Sequence, residues 1–248
     1  MDVIYILWLR QLKRYVRSRA RIVGSLAQPL LFLVALGFGF GPIYARAGGG
    51  SYIQFLAPGV ISMGILFTAM FSGIEVLWDR QFGFLKETLV APVPRLQVML
   101  GRTLGGASVA TLQGIIVFVL TLGVGFRPAH VALLPLALVI MFLTALLFTA
   151  LGTAVASVLE DMQAFQLIMN FLVMPLFFLS GALFPLTGVP RAIGFVARID
   201  PLSYGVDGIR GALVGASHFS LIVDVGVLGS CVAVLLAVGS YLFSRIQM

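Results

Sequence analysis

The sequence predicts an all-α integral membrane protein with six transmembrane helices. Three observations carry this prediction: the composition, the lengths of the uncharged stretches and the distribution of basic residues. Of the 248 residues, 60% are hydrophobic and 10% are charged, whereas an ordinary soluble domain is about 45–50% apolar and roughly 25% charged. Because so few charges could not cover that apolar surface in water, we expect lipid to cover it.

Six uncharged stretches are long enough to cross the hydrocarbon core, which takes about 20 apolar residues in a helix. The transmembrane helices predicted from them cover residues 22–45, 53–77, 103–126, 132–157, 163–184 and 222–244. The uncharged stretch 211–223 is too short to span and predicts a re-entrant or interfacial segment. Its first part belongs to an external region, 185–219, that is rich in proline and glycine.

The basic residues predict which side of the membrane holds the two termini. Six spans place both termini on one side, and eleven of the 16 basic residues then lie on that side. These are Arg10, Lys13, Arg14, Arg17, Arg19, Arg21, Arg80, Lys86, Arg95, Arg102 and Arg245, against Arg46, Arg127, Arg191, Arg198 and Arg210 on the other. The positive-inside rule therefore predicts a multi-pass protein of the cytoplasmic (inner) membrane with both termini inside. The net charge of +7 reflects this asymmetry and does not indicate nucleic-acid binding.

Residues 1–21 predict an amphipathic helix before the first span. Its apolar face would carry Ile4, Leu7, Trp8, Leu12 and Tyr15, and its basic face Arg10, Lys13, Arg14 and Arg17. We expect this helix to lie in the cytoplasmic interface, anchored by Trp8 and by anionic lipid. The alternative is a basic flank that only enforces topology.

The loop 79–102 between the second and third spans is the longest cytoplasmic one, and its first part has helical periodicity. Its apolar stripe consists of Phe82, Leu85 and Leu89, its flanking charges are Arg80, Lys86 and Glu87, and Pro92 and Pro94 end the pattern. Such a helix is either an inert connector or an element that docks into a groove on a partner. Periodicity alone leaves both open.

The sequence offers little to a catalytic or metal-binding function. Cys231 is the only cysteine, and His130 and His218 stand far apart. A nucleotide-binding P-loop needs a lysine directly after glycine, but Lys13 and Lys86, the only lysines, both follow leucine. We therefore expect this chain to bind no ATP and no metal by itself, and we expect no enzyme.

Three blocks of sequence resemble the type-2 ABC exporter permeases, the family that includes daunorubicin-resistance and nodulation-factor exporters. The first block is LVAPVPR at 89–95, followed by LGR at 100–102. The second is PLFFLSGALFP at 175–185, followed by Pro190, and the third is DPLSYGVDGIR at 200–210. Taken in order and together with the six predicted spans, they extend the resemblance over nearly the whole chain. The family usually has asparagine where Asp200 stands.

The resemblance implies a type-2 ABC exporter fold formed by a single domain, 1–248, which is half of a transporter. A second permease copy, expected to be identical, would complete the pathway, and two ABC ATPase subunits would supply ATP and Mg²⁺ chemistry. The loop 79–102 would hold a coupling helix in the ATPase groove. The implied ATPase contacts are Arg80, Phe82, Leu85, Lys86, Glu87 and Leu89, with Glu160 and Asp161 as a second contact or, alternatively, two solvated charges that end a span.

The resemblance also implies a substrate pathway between the second and fifth spans at the dimer axis. Its candidate residues are Phe67, Met70, Phe71, Asn170, Met174, Phe177 and Phe178, and they would suit a hydrophobic or amphipathic cargo. The alternative for these residues is simple packing or lipid contact. Glu75 is an intramembrane charge, and we expect it to stiffen the junction to the coupling helix, with Arg80 and Arg102 as possible partners. An ion-coupled secondary carrier or channel remains the competing function.

Overall fold

The computed structural model describes residues 2–48, 50–84 and 93–244, and all regular secondary structure in these ranges is helical. The helices are α1 (Asp2–Arg17), α2 (Arg19–Arg46), α3 (Tyr52–Phe71), α4 (Ile74–Gln81), α5 (Arg95–Gly123), α6 (Leu134–Val158), α7 (Met162–Leu179), α8 (Arg191–Ile199), α9 (Pro201–Val214) and α10 (Leu221–Ser244). A short 3₁₀ turn, Val131–Leu133, leads into α6.

Six helical segments are long and apolar enough to cross a membrane, which confirms the six-span prediction. They are α2, α3 continued by α4 (Tyr52–Gln81), α5, α6 with its preceding turn (Val131–Val158), α7 and α10. The helix that carries the third predicted span, 103–126, begins at Arg95. The fifth ends at Leu179 and not at 184, because Gly181 turns the chain with a φ of +74° and packs against Leu186.

The apolar face of α1 packs against α5 and not only against lipid. Leu7 and Tyr15 are almost fully buried, and the Trp8 indole Nε1 donates a hydrogen bond of 2.9 Å to Ser108 Oγ. Gly101 and Gly105 let the two helices approach. The expected Trp8 anchor is therefore a contact with a helix of this chain.

The centre of the bundle is α3, which packs against α2, α5, α6 and α9. Its end at Phe71 is followed by α4 after two residues, and the backbone of Gly73 there touches the backbone of Gly152 in α6. A side chain at either glycine would collide with main-chain atoms that cannot rotate away. This contact fixes the position at which α4 leaves the bundle.

The end of the bundle opposite the termini contains the half-helix α9. It begins at the N-cap Asp200, ends at Gly215 in the left-handed conformation, and is buried among α3, α6 and α10. The short helices α8 and α9 make up most of the external region 185–219, and its re-entrant path stays a prediction. The stretch 211–223, for which we expected a re-entrant or interfacial segment, comprises the last turn of α9, a short loop and the start of α10.

Candidate functional site

Two acidic residues on α4 form the centre of the candidate site. Glu75 and Asp79 are one helical turn apart, so they point to the same side of the helix. Glu75 is only 7% exposed and Asp79 only 6%. Buried carboxylates need compensating charges, and the neighbouring helices supply four arginines.

Glu75 is held by the helices at the start of the chain. Arg21 Nη1, in the first turn of α2, lies 3.0 Å from Glu75 Oε1, and Arg14 Nη1, on α1, lies 3.6 Å from Oε2. One carboxylate therefore binds two guanidinium groups. The sequence had suggested Arg80 and Arg102 as partners, but those two pair with other acids because they project from α4 and α5 in other directions.

Asp79 links α4 to both α1 and α5. Arg10 Nη2 lies 3.3 Å from Asp79 Oδ1, and Arg102 contacts Oδ2 at closer range. The side chain of Arg102 is 5% exposed. Since an unpaired buried charge is far more costly than a paired one, Asp79 and Arg102 depend on each other.

The end of α4 is tied to the loop between α6 and α7. Arg80 Nη2 donates a 2.8 Å hydrogen bond to Glu160 Oε1, and Nη1 donates to the Leu159 carbonyl at 3.4 Å. Asp161 caps α7, since its carboxylate accepts hydrogen bonds from the backbone N–H groups of Gln163 and Ala164. The two loops that the resemblance assigned to ATPase contact are thus joined within this chain.

The helical stretch predicted over 79–91 is not a continuation of α4. The helix α4 itself ends at Gln81, and Gly83 then turns the chain with a φ of +80°. Phe82 is 67% exposed, with its ring edge-on to Trp78 at 6.2 Å. The other predicted contacts in this segment, Leu85, Lys86, Glu87 and Leu89, lie outside the described residues, and their role stays a prediction.

The three pathway candidates on α3 face in two directions. Phe67 and Phe71 stack with ring centroids 6.4 Å apart and line a cavity of about 350 Å³. Met70 is fully buried, and its carbonyl lies against Gly152 of α6. Phe67 and Phe71 are therefore accessible to a small molecule, while Met70 is part of the packing between helices.

The candidates on α7 separate in the same way. Asn170, Met174 and Phe178 recur every four residues and form an exposed stripe on the helix. Phe177 is 1% exposed and packs edge-on against Phe32 of α2 at 6.0 Å. The stripe places the polar side chain of Asn170 next to the apolar Met174 and Phe178.

A second charged region lies at the opposite end of the bundle. Arg210 of α9 donates to the Gly181 carbonyl at 3.0 Å, and its guanidinium lies 4.1 Å from the centre of the Phe55 ring. Asp224, in the first turn of α10, is fully buried within the chain. The reason is that α10 begins at Leu221 and turns the Asp224 side chain toward Gly208 of α9.

The arginine partners of α4 were missed by the sequence analysis, although a signal was present. Glu75 and Asp79 are spaced four residues apart, and so are Arg10 and Arg14. Two such pairs of opposite charge predict two helices lying side by side. The sequence analysis had assigned Arg10 and Arg14 to topology and to anionic lipid, not to the acids of α4.

Comparison with known proteins identifies the family. The sequence profile of the ABC-2 type transporter family matches residues 2–214. The chain belongs to this family. Nodulation protein J of Rhizobium leguminosarum bv. trifolii is 32% identical over 226 residues, covering 90% of this chain and 83% of that protein. The inner membrane transport permease YadH of Escherichia coli K12 is 26% identical over 224 residues, covering 90% of this chain and 87% of that protein.

A third relative is transport permease ycf38 of the alga Porphyra purpurea, 31% identical over 78% of this chain and 68% of that protein. The resemblance read from the sequence motifs is confirmed. As an ABC-2 member with six spans, the chain is a multi-pass membrane protein of a transport permease family, whose context is an ABC transporter with an ATPase partner.

Proposed function

We propose that this chain is the permease subunit of an ATP-driven exporter. Its cargo is a hydrophobic or amphipathic molecule, such as a drug, a lipid or a lipid-linked saccharide. The family match and the names of the relatives, nodulation protein J and transport permease YadH, support this proposal. The membrane is the cytoplasmic (inner) one, with both termini inside, as the distribution of basic residues favours.

Energy comes from a separate ABC ATPase. Two ATPase subunits bind ATP and Mg²⁺, and two copies of this chain form the membrane pathway. The absence of a P-loop lysine from the sequence supports this division of labour, since both lysines follow leucine. This chain contributes the pathway and the coupling surface.

The position and ion pairs of helix α4 support the proposed coupling mechanism. It joins the central helix α3 to the predicted coupling loop, and its acids bind α1, α2 and α5 through four arginines. Arg80 extends the connection to Glu160. A push on the loop by the closing ATPase dimer would therefore move α4 together with α1 and the spans. Substrate and nucleotide would then bias the same two states, as alternating access requires.

The pathway would lie between two protomers, along α3 of one and α7 of the other. The exposed stripe of Asn170, Met174 and Phe178 supports this assignment for α7. Phe67 and Phe71 are accessible on α3. Met70 and Phe177 would join the pathway only by leaving their buried positions.

A test of the coupling role uses Leu85→Arg and Glu87→Arg in the permease purified with its ATPase. We expect both to lower cargo-stimulated ATP turnover and retention of the ATPase on the purified permease. Arg46→Glu is the matched control, because it reverses one charge at the opposite end of α2, at an exposed position. Wild-type turnover and retention in both loop variants would refute the assigned role.

An ion-coupled secondary carrier is the second candidate function, and one observation favours it. Asp224 lies inside the last span, is fully buried, and has no hydrogen-bond partner for either carboxylate oxygen within the described residues. Buried intramembrane acids are often proton sites. This candidate predicts cargo movement in liposomes without the ATPase, driven by a pH gradient and abolished by Asp224→Asn.

A further inference from the structure

A cavity of about 350 Å³ opens within a single chain, at the end of the bundle that holds the termini. It lies between α1, α2, α3 and α5, and its volume falls within the range of ligand pockets, ~300–1,000 Å³. The inner wall is apolar and is formed by Pro29, Met63, Phe67, Phe71 and Val109. Phe67 and Phe71, which we also proposed for the pathway on α3, belong to this wall, but the cavity itself is enclosed by helices of one chain.

The rim of the cavity is polar and positively charged. Gln11, Tyr15, Gln28, Arg21 and Glu75 line it. Since Glu75 is the one carboxylate shared by Arg21 and Arg14, this group keeps a formal charge of +1. The side chains of Arg21 and Arg14 are 44% and 37% exposed, so both can still reach a ligand.

Further basic residues lie on α1 outside the cavity. Arg14 also belongs to a second, separate depression, which Arg10, Lys13 and Arg17 line with it. An anion approaching the rim would meet attraction from several guanidinium groups at once, and guanidinium binds phosphate and carboxylate well because its donors match their geometry. The rim therefore favours an anionic group and disfavours a cationic one.

The position of the cavity matches that of an amphiphile in a bilayer. Its rim lies where the span Arg19–Arg46 begins and the span Tyr52–Gln81 approaches its end, and this is the depth of lipid head groups. Its apolar wall continues toward the middle of the spans. We propose that the cavity binds an anionic single-chain amphiphile, with its tail between α2 and α3 and its head group at Arg21 and Arg14.

The first test measures thermal stability of the protein in phosphatidylcholine nanodiscs during titration with dodecyl phosphate. A ligand that binds the folded chain raises Tm with concentration, so we expect a saturable rise. Dodecyltrimethylammonium, which has the same tail and a cationic head, should give none. Arg21→Gln should weaken the apparent affinity for dodecyl phosphate about tenfold or more, since it removes a charged hydrogen-bond donor.

A second variant blocks the space and leaves the charges in place. Gly24 lines the cavity, and a Cβ added there would meet nothing within 4 Å, so Gly24→Phe adds bulk at the opening from a position with room for the new side chain to start. Gly39→Phe is the matched control, because it lies on the same helix, has equal free space, and does not line the cavity. We expect Gly24→Phe to abolish the dodecyl phosphate shift and Gly39→Phe to retain it.

Two sources of the ligand can be told apart. A resident membrane lipid would co-purify with wild type and be lost from Gly24→Phe, as measured by mass spectrometry of extracted lipids. A cargo would be released in an ATP-dependent manner when the ATPase is added. Either result supports the proposal. An equal shift with both amphiphiles, or an unchanged shift in Gly24→Phe, would overturn it and leave the exporter function untouched, since the binding assay contains no ATPase.

Discussion

The guanidinium of Arg102 contacts the carboxylate of Asp79, and both side chains are buried inside the bundle. The pair joins α5 to α4, while Arg10 of α1 reaches the same carboxylate from the other side at 3.3 Å. The two members of the pair are therefore not equivalent. Asp79 has a second partner in Arg10. Within the described ranges, Arg102 forms an ion pair with Asp79 only.

This asymmetry predicts unequal costs for the two single variants. Asp79→Asn leaves the buried Arg102 uncompensated, so we expect it to lower the free energy of unfolding by about 3–5 kcal/mol. Arg102→Met leaves Asp79 paired with Arg10 and should cost roughly 1–2 kcal/mol. Denaturation of the purified protein in mixed micelles measures both. Arg10→Gln is the control, with an expected loss of at most about 1 kcal/mol because Arg10 is 44% exposed. Equal costs for Asp79→Asn and Arg102→Met would contradict the argument.

The pair Arg80–Glu160 should matter for coupling and little for stability. The Glu160 side chain is 80% exposed, and such pairs contribute at most about 1 kcal/mol. We expect Arg80→Glu to change Tm slightly but to reduce cargo-stimulated ATP turnover in the complete transporter, because the two loops at this end would move apart. The double variant Arg80→Glu with Glu160→Arg should recover part of that turnover.

The control for this prediction is Arg46→Glu, a charge reversal at an exposed position in the last turn of α2. It breaks no ion pair found among the described residues, so turnover should stay near wild type. If Arg80→Glu couples normally, or if the charge exchange restores nothing, the connection between the loops is not part of the mechanism.

The sequence predicted the number of spans because spacing between charges is a direct signal of what lipid can contain. It predicted the amphipathic pattern of α1 for the same reason. It could not predict that Leu7 and Tyr15 pack on α5, since an apolar stripe looks the same whether lipid or protein covers it. The only trace of that contact in the sequence is the pair of small residues Gly101 and Gly105. With 28 glycines in the chain, their spacing was weak evidence for close helix packing.

The candidate site was predicted in part. Glu75 was recognised because a carboxylate inside a span is rare. Its true partners, Arg14 and Arg21, are more than fifty residues away in sequence, and topology rules had already accounted for their charge. Likewise, Phe177 and Phe178 are adjacent in sequence and alike in chemistry. Only the packing of α7 against α2 decides that the first is buried and the second exposed.

Asp200 predicts a pH dependence of stability. Its Oδ1 accepts a 2.8 Å hydrogen bond from the Leu202 N–H, while Oδ2 is buried without a hydrogen-bond partner among the described residues. This burial raises the pKa of the carboxyl from 3.8 to about 7. Between these two values the folded chain holds a proton that the unfolded chain has released. Stability should therefore fall as pH rises from about 4 to 7, by at most about 4 kcal/mol.

The variant Asp200→Asn tests this assignment. Asparagine keeps the cap on α9 and carries no charge to bury, so the variant should be more stable than wild type at pH 8 and similar at pH 4. Thermal unfolding at a series of pH values gives the comparison. A pH profile that keeps its slope in Asp200→Asn would assign the dependence to another group.

The contact between Gly73 and Gly152 predicts which glycines the fold requires. A Cβ on Gly152 would collide with the Met70 carbonyl, which belongs to the α3 backbone and cannot rotate away. We expect Gly152→Ala to lower stability by about 2–3 kcal/mol, as overpacking does, and to displace α4 from α6. Gly229→Ala in α10 is the control, because nothing lies within 4 Å of a Cβ there, and its stability should stay within about 1 kcal/mol of wild type.

Because α4 carries both acids of the charged junction, Gly152→Ala should also weaken coupling to the ATPase, whereas Gly229→Ala should not. Normal coupling in a folded Gly152→Ala variant would show that the position of α4 tolerates displacement. The proposal that α4 transmits the movement of the ATPase to the spans would then lose its main physical support.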